Sequence, residues 1–335
     1  MFHRGLSLFA ALAVLGSAAC VVEPDTDSTA LGEASLEARQ VPADFEIVVP
    51  WGDGPAELGL RARREEFLGD GPSGIALGPS GETLVVDRLH GRVVRVGPAG
   101  VESLFPSAAD VELLAVAEDG AALLFSPLRA RAQVVDAAGK PLGEVAIPRA
   151  VGDVTALRLG SSRRVEIETA FQERFVAGSP HAPLAVASAL RTKREGALDW
   201  GSGGSLHALV DASGDGHLVI MSEREGERAA EAGRVKVATG VRSLRVLGQD
   251  GGHVVTLAER VEQTERGLSV SRDILVVDPS AGALVGQWAL PTAGLWVPRQ
   301  AYAVGFGRVA FMDPLPDGMR VASRTIASLV VGGAK

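Results

Sequence analysis

The stretch formed by residues 71–96, GPSGIALGPSGETLVVDRLHGRVVRV, constrains this chain more than any other part of it. Three short aliphatic and β-branched runs, at 75–77, 83–87 and 92–96, are separated by two tight turn signals. Gly78-Pro79-Ser80-Gly81 supplies the first turn and Arg88-Leu89-His90-Gly91 the second, with glycine providing the positive φ that such hairpins demand. After Gly97-Pro98-Ala99-Gly100, residues 101–105 serve as a fourth strand. Four strands joined by hairpins make one blade of a β-propeller, and a blade cannot bury both of its faces alone. Copies of the unit are therefore expected to fill the chain.

The remaining sequence reads in the same units. Runs at 113–117, 122–125, 132–136 and 143–147 make a second blade, with Glu118-Asp119-Gly120 and Ala137-Ala138-Gly139-Lys140 as turns. A third takes 154–159, 165–169, 173–177 and, as its last strand, 184–192. The fourth begins with 205–210, turns at 212–216, returns through 217–221 and ends at 235–238 after a charged loop at 223–231. Blade five reads 243–247, 253–259, 271–277 and 284–290; blade six reads 301–305, 308–312 and 319–324. Residues 44–50, DFEIVVP, alternate like a strand ahead of the first blade and are expected to complete the last one. These units predict an all-β fold: a single β-propeller over residues 44–330, with six blades of four antiparallel strands. Seven blades would require 180–200 to form a degenerate blade. Helical period competes only at 185–194 and 223–231, both short. A segment carrying Arg61, Arg63, Arg64, Glu65 and Glu66 is expected to cross one face of the propeller as a solvated loop.

Apolar residues make up 46% of the chain but aromatic ones only 4%, so valine, leucine, isoleucine and alanine must fill the core. A net charge of −8 argues against nucleic acid as a partner, since phosphates demand a basic face. The chain contains no asparagine, which makes N-x-[ST] glycosylation impossible and excludes any metal site that uses an asparagine carbonyl. One cysteine leaves no intrachain disulfide.

That cysteine sits at the end of an address. His3 and Arg4 precede an apolar run at 5–15, and Ser17-Ala18-Ala19 places small residues directly before Cys20. The pattern resembles a bacterial lipoprotein signal, which implies that residues 1–19 are cleaved away and Cys20 is lipidated; Ser17 stands where such signals usually carry leucine. The other reading is an ordinary secretory signal cut after Ala19. Either one exports the protein. The lipoprotein reading places it at the outer membrane or cell surface of a Gram-negative-type bacterium, with the membrane as a partner through Cys20. Residues 20–43 then form an acidic, solvated tether, since Glu23, Asp25, Asp27, Glu33 and Glu37 alternate with serine, threonine and alanine.

The first blade also resembles an NHL repeat. The likeness rests on Pro72-x-Gly74-Ile75-Ala76-Leu77, on Gly81, and on Val85-Val86-Asp87-x-x-His90-x-Arg92-Val93. The family pattern has asparagine at His90, aspartate at Gly78 and an aromatic residue at Leu84. The resemblance covers one blade well and the others as echoes. It implies a β-propeller, and it implies that Asp87 and Arg92 tie the hairpin together through side-chain-to-backbone bonds. It names no substrate, because propellers host enzymes, binders and scaffolds alike.

Candidate chemistry is sparse. Asp211-Ala212-Ser213-Gly214-Asp215-Gly216 places oxygen ligands at alternate positions before a glycine, as calcium loops begin. Ser222 at the twelfth position excludes an EF-hand, and the same residues suit a plain hairpin turn. His90, His207, His217 and His253 fall in different blades with no zinc spacing. There is no G-x-S-x-G elbow, and Gly201–Gly204 lacks the lysine of a P-loop. The leading expectation is a lipid-anchored binding or scaffold module for a protein or glycan, without catalysis and with no cofactor. The alternatives are a propeller enzyme of the lactonase or sugar dehydrogenase type, and a calcium-dependent carbohydrate binder using Asp211, Ser213 and Asp215. Lactonase propellers hold a channel metal with carboxylates and asparagines, an arrangement this chain cannot copy intact.

Overall fold

The computed structural model describes residues 44–61, 70–160, 162–200, 204–222, 230–265, 267–291 and 296–330. The expected signal peptide, Cys20, the acidic tether, Arg63 to Glu66 and most of the charged loop at 223–231 lie outside these residues. Strand β1 (Phe45–Pro50) comes first. Blade one follows with β2 (Ile75–Leu77), β3 (Thr83–Asp87), β4 (Arg92–Gly97) and β5 (Gly100–Pro106), hydrogen-bonded in that order. Blade two has β6 (Leu113–Val116), β7 (Ala122–Ser126), β8 (Arg131–Val135) and β9 (Pro141–Ala146). Blade three has β10 (Val154–Leu159), β11 (Val165–Thr169) and β12 (Glu173–Ser179), edged by β13 (Ala182–Pro183), helix α1 (Val186–Arg191) and β14 (Arg194–Glu195). Blade four has β15 (Leu198–Trp200), β16 (Gly204–Val210), β17 (Gly216–Ser222) and β18 (Ala230–Ala238). Blade five has β19 (Ser243–Asp250), β20 (His253–Thr264), β21 (Gly267–Asp278) and β22 (Ala283–Leu290). Blade six has β23 (Tyr302–Gly305), β24 (Arg308–Pro314) and β25 (Gly318–Thr325), before the short helix α2 (Ile326–Leu329).

Six sheets in a ring make a six-bladed β-propeller. Its closure is the expected one: β1 pairs antiparallel with β25 from Phe45↔Ser323 to Pro50↔Gly318, so the first strand supplies the outer strand of the last blade. Gly318 is glycine because of that close approach; a Cβ there would lie 2.3 Å from the Val49 carbonyl oxygen.

Burial explains why the strands read as they do. A second strand such as β3 (TLVVD) or β7 (ALLFS) is flanked in its own sheet and covered on both faces by neighbouring blades, so every residue is buried and the sequence is a continuous apolar run. Outer strands such as β5 (GVESLFP) face solvent and mix polar with apolar residues. The core lies in the seams between blades. Apolar clusters fill the seams one–two, two–three, four–five, five–six and six–one. Among the described residues no such cluster joins blades three and four. That seam is polar: the Gln172 side chain donates to the Ala208 carbonyl and accepts from its N–H, both at 2.9 Å, and the Arg174 Nε donates to the Gly196 carbonyl at 2.8 Å.

Three expectations are corrected. Residues 184–192 are not the last strand of blade three; Val186–Arg191 is the helix α1, which its alanines permit and the packing of Ala189 and Leu190 selects. Thr192 Oγ1 then accepts from the Val176 N–H at 2.7 Å, a position a ladder strand would have held. Residues 205–210 are not the innermost strand of blade four. That place belongs to β15, which pairs Leu198↔Leu206 and Trp200↔Gly204 and is too short to show periodicity. With 180–200 shared between blades three and four, the seven-bladed alternative falls. Finally, β20 and β21 run past the expected 253–259 and 271–277, pairing out to Thr264↔Gly267 at the tip of their hairpin.

Candidate functional site

The innermost strands surround a central cavity of about 420 Å3 that extends into the polar seam between blades three and four. Its wall is as polar as it is apolar: aliphatic residues such as Ala76, Leu114 and Val304 share it with Arg158, Arg174, Arg245 and Arg299, set against Glu166 and Glu168. An acidic protein has thus gathered arginines at its centre. Strand alternation places two of them. Leu157 and Leu159 of β10 are buried in the seam with blade two, which turns Arg158 the opposite way. Leu244 and Val246 of β19 are buried against blade four, which turns Arg245 away from it.

Each cation has a distinct setting. Arg158 Nη2 donates to Glu168 Oε2 at 3.0 Å and to the Ala197 carbonyl at 2.9 Å, bridging blades three and four. Arg299, at the end of the cavity where the innermost strands begin, pairs with Glu112 at 3.2 Å and with Asp153. Arg245 lies over the Tyr302 ring at 5.8 Å from its centroid, and among the described residues no carboxylate pairs with it. The Tyr302 hydroxyl in turn accepts from Arg272 Nη1 at 2.9 Å, so the ring beneath Arg245 is fixed by a buried partner. Burial pushes the Tyr302 phenol up from its ordinary value despite the nearby arginines. Glu168 is 5% exposed, and the same desolvation raises its carboxyl against the opposing pull of Arg158, Arg245 and Arg174. Next to the cavity, the Gln300 side chain donates to and accepts from the Leu114 backbone, both at 2.8 Å, stitching blade six to blade two.

A lactonase-type channel metal does not fit this donor set. The cavity offers two carboxylates, one of them bound to Arg158. Among the described residues, the one group of three ligating side chains close together is Asp211, Asp215 and His217, which lie outside the channel lining. Ser205 Oγ lies 3.1 Å from His207 Nε2 on β16, but the hydroxyl is buried and neither residue lines the cavity.

Asp211, Ser213 and Asp215 are brought together as the turn between β16 and β17. Asp211 Oδ1 accepts from the Ser213 N–H at 2.9 Å and the Asp215 N–H at 3.0 Å, while its Oδ2 lies 3.0 Å from His217 Nε2. The Asp215 N–H, and after it His217, hold the Asp211 carboxyl below its ordinary range. Asp215 pairs with Lys236 of β18. Calcium requires six to eight oxygens turned toward one point. Here one carboxylate oxygen is committed to backbone N–H groups and the other carboxylate to an ammonium, and Ser213 contributes its N–H. The geometry is that of a hydrogen-bonded Asx turn.

Asp87 and Arg92 face each other across the second turn of blade one, with Arg92 Nε donating to Asp87 Oδ2 at 2.9 Å. Their reach extends further than the hairpin. Asp87 also accepts from the Gly59 N–H at 3.2 Å and lies 2.7 Å from His90 Nδ1, and Arg92 donates to the carbonyls of Glu57 and Pro55. The pair therefore docks the segment that follows the closing strand. Gly59 approaches so closely that a Cβ would lie 2.7 Å from Leu89 Cβ. Sequence reasoning missed Arg158, Arg174, Arg245, Glu168 and Tyr302. The available signal was a charged residue in the middle of an otherwise aliphatic innermost strand, as in Leu157-Arg158-Leu159 and Leu244-Arg245-Val246.

No protein-family model matches the sequence, and no curated protein matches it. Among solved structures, a streptogramin B lyase aligns over 84% of this chain and 98% of its own at 11% identity, with a TM-score of 0.42. A gluconolactonase from Xanthomonas campestris aligns over 83% of this chain and 98% of its own at 15% identity, with a TM-score of 0.42. A virginiamycin B lyase from Staphylococcus aureus, with quinupristin, aligns over 81% and 100% at 12% identity, with a TM-score of 0.39. At these values the neighbours decide nothing about chemistry, and the six-bladed β-propeller stands on the chain's own strand pairing.

Proposed function

We propose that this protein is a binding propeller of the cell envelope, anchored by a lipid on Cys20, that takes a protein or glycan partner and seats a ligand group in its central channel. The observation that carries the reading is the channel: an open cavity of about 420 Å3 whose arginines are held by carbonyls, carboxylates or an aromatic ring. Cavities of that size accommodate small ligands or one residue of a larger partner. Pre-positioned donors in such a wall favour recognition, since little side-chain freedom is lost on binding. The address is supported by the apolar run, the small residues before Cys20 and the acidic stretch after it.

Two measurements test it. Fractionation should hold the wild-type chain in the membrane fraction with a lipid mass on Cys20, and Cys20→Ser should release it or leave the precursor uncut. The purified protein should not accelerate gluconolactone hydrolysis. Turnover that a chelator abolishes would replace the binding reading with the enzyme one, and a mature N-terminus beyond Cys20 would remove the anchor.

A further inference from the structure

We propose that the channel binds a small carboxylate, as an organic acid or an acidic sugar, through Arg245, with Arg158 of the polar seam as a second donor that Glu168 withholds; this rests on the channel being the ligand site. Three of the four arginines in the wall are already engaged. Arg158 holds Glu168 and a carbonyl, Arg174 holds the Gly196 carbonyl, and Arg299 is paired with Glu112 and Asp153. Arg245 is different. The residue is half-buried, its guanidinium lies over a tyrosine ring fixed by Arg272, and it has no carboxylate partner among the described residues.

A cation held in a recess of this kind is matched by one negative charge. The planar guanidinium presents parallel N–H donors that a carboxylate accepts in bidentate fashion. A doubly charged phosphate would call for a second open cation, and the other three arginines are engaged. Glu168 adds a gate of its own. Its carboxylate occupies Arg158 in the same cavity, so an incoming carboxylate competes with it, and protonating or neutralising Glu168 releases Arg158 to the ligand.

The test is calorimetric titration of the full-length protein in detergent with D-glucuronate, lactate, D-glucose and inorganic phosphate. Glucose is the uncharged counterpart of glucuronate, and lactate, a monoanion like glucuronate, separates an organic acid from an acidic sugar. At least one carboxylate should bind about tenfold or more tightly than glucose and phosphate, with affinity falling as salt is added. Arg245→Met, which keeps length and loses charge, should weaken that binding about tenfold or more while leaving the circular dichroism unchanged. Glu168→Gln should strengthen it. Glucose binding as tightly as the better carboxylate, phosphate binding more tightly than both carboxylates, no binding of either carboxylate, or an Arg245→Met variant that binds normally each overturns the proposal. Those outcomes leave the envelope-binding reading standing, because lactone turnover and the state of Cys20 test it separately.

Discussion

Removing the Asp87 carboxylate should destabilise the protein by several kcal/mol, although it does not line the channel. Asp87 is fully buried and satisfies three groups at once: Arg92 Nε at 2.9 Å, His90 Nδ1 at 2.7 Å and the Gly59 N–H at 3.2 Å. Asp87→Ala leaves the Arg92 charge in a site where its side chain is 14% exposed. Breaking a buried pair from one side costs about 3–5 kcal/mol, most of it the stranded partner. Arg92 keeps carbonyl acceptors on Glu57 and Pro55, which places this case at the lower end, at about 3 kcal/mol. Domains a little smaller than this one lose about 2–4 °C of Tm per kcal/mol, so the variant should melt at most about 6–12 °C lower. Thermal and urea unfolding of Asp87→Ala, Arg92→Met and the double variant form a cycle. A coupling above about 1 kcal/mol is expected, with the double variant less damaged than the sum of the singles. Limited proteolysis should cut first within 53–59, the segment the pair docks. A loss below about 1 kcal/mol, or additive single effects, would refute the argument that the pair is a buried, mutually dependent tie.

Deleting residues 44–50 should strip blade six of its outer strand, expose the β25 edge and drive aggregation; the milder Gly318→Ala, whose Cβ would meet the Val49 carbonyl, should lower Tm without removing the strand, and unchanged stability in both would deny β1 its closing role. Glu168 titrates higher in the fold than in the unfolded chain, so the fold holds the extra proton between those two values. Stability conferred at this site therefore falls as pH rises through that window and is flat above it. Subtracting the Glu168→Gln stability profile from the wild-type profile should show that fall, and a rise instead would reverse the assignment. Asp211 titrates lower in the fold, so its contribution is present above the unfolded value and lost as pH falls through the folded one; Asp211→Ala should lower stability at neutral pH, converge with wild type in acid and so flatten the acid limb of the profile. Millimolar calcium should leave the melting temperature unchanged relative to chelator, and a calcium-dependent rise lost in Asp215→Ala would restore the metal-dependent carbohydrate binder.

Much of this architecture is written in short-range chemistry. In blade one the four strands fall where glycine turns and aliphatic runs place them, because turn conformation and strand alternation depend on residues a few positions apart. The closing strand was equally legible: DFEIVVP alternates, has no local partner, and a ring supplies one. The Asx turn at Asp211 follows from its own five residues, and its spacing alone leaves a metal loop and a turn indistinguishable. The same locality explains the errors. The run 184–192 carries both strand and helix signals, and only packing of Ala189 and Leu190 beneath blade three, with Thr192 occupying the Val176 N–H, selects the helix. Three residues of β15 carry no period at all, and pairing with β16 defines them.

The site belongs to the tertiary structure. Residues 71–96 and their echoes determine that the chain closes into a ring, and residues 44–50 determine where it closes. Nothing local states that Gln300 reaches Leu114 across 186 positions, or that Arg245 lies over Tyr302. Nor does it state that one seam of six, between blades three and four, is polar. A blade's sequence specifies its own hairpins through near neighbours, whereas the channel exists only once six blades converge, and its charges are set by which side chains alternation turns inward from strands far apart in the chain.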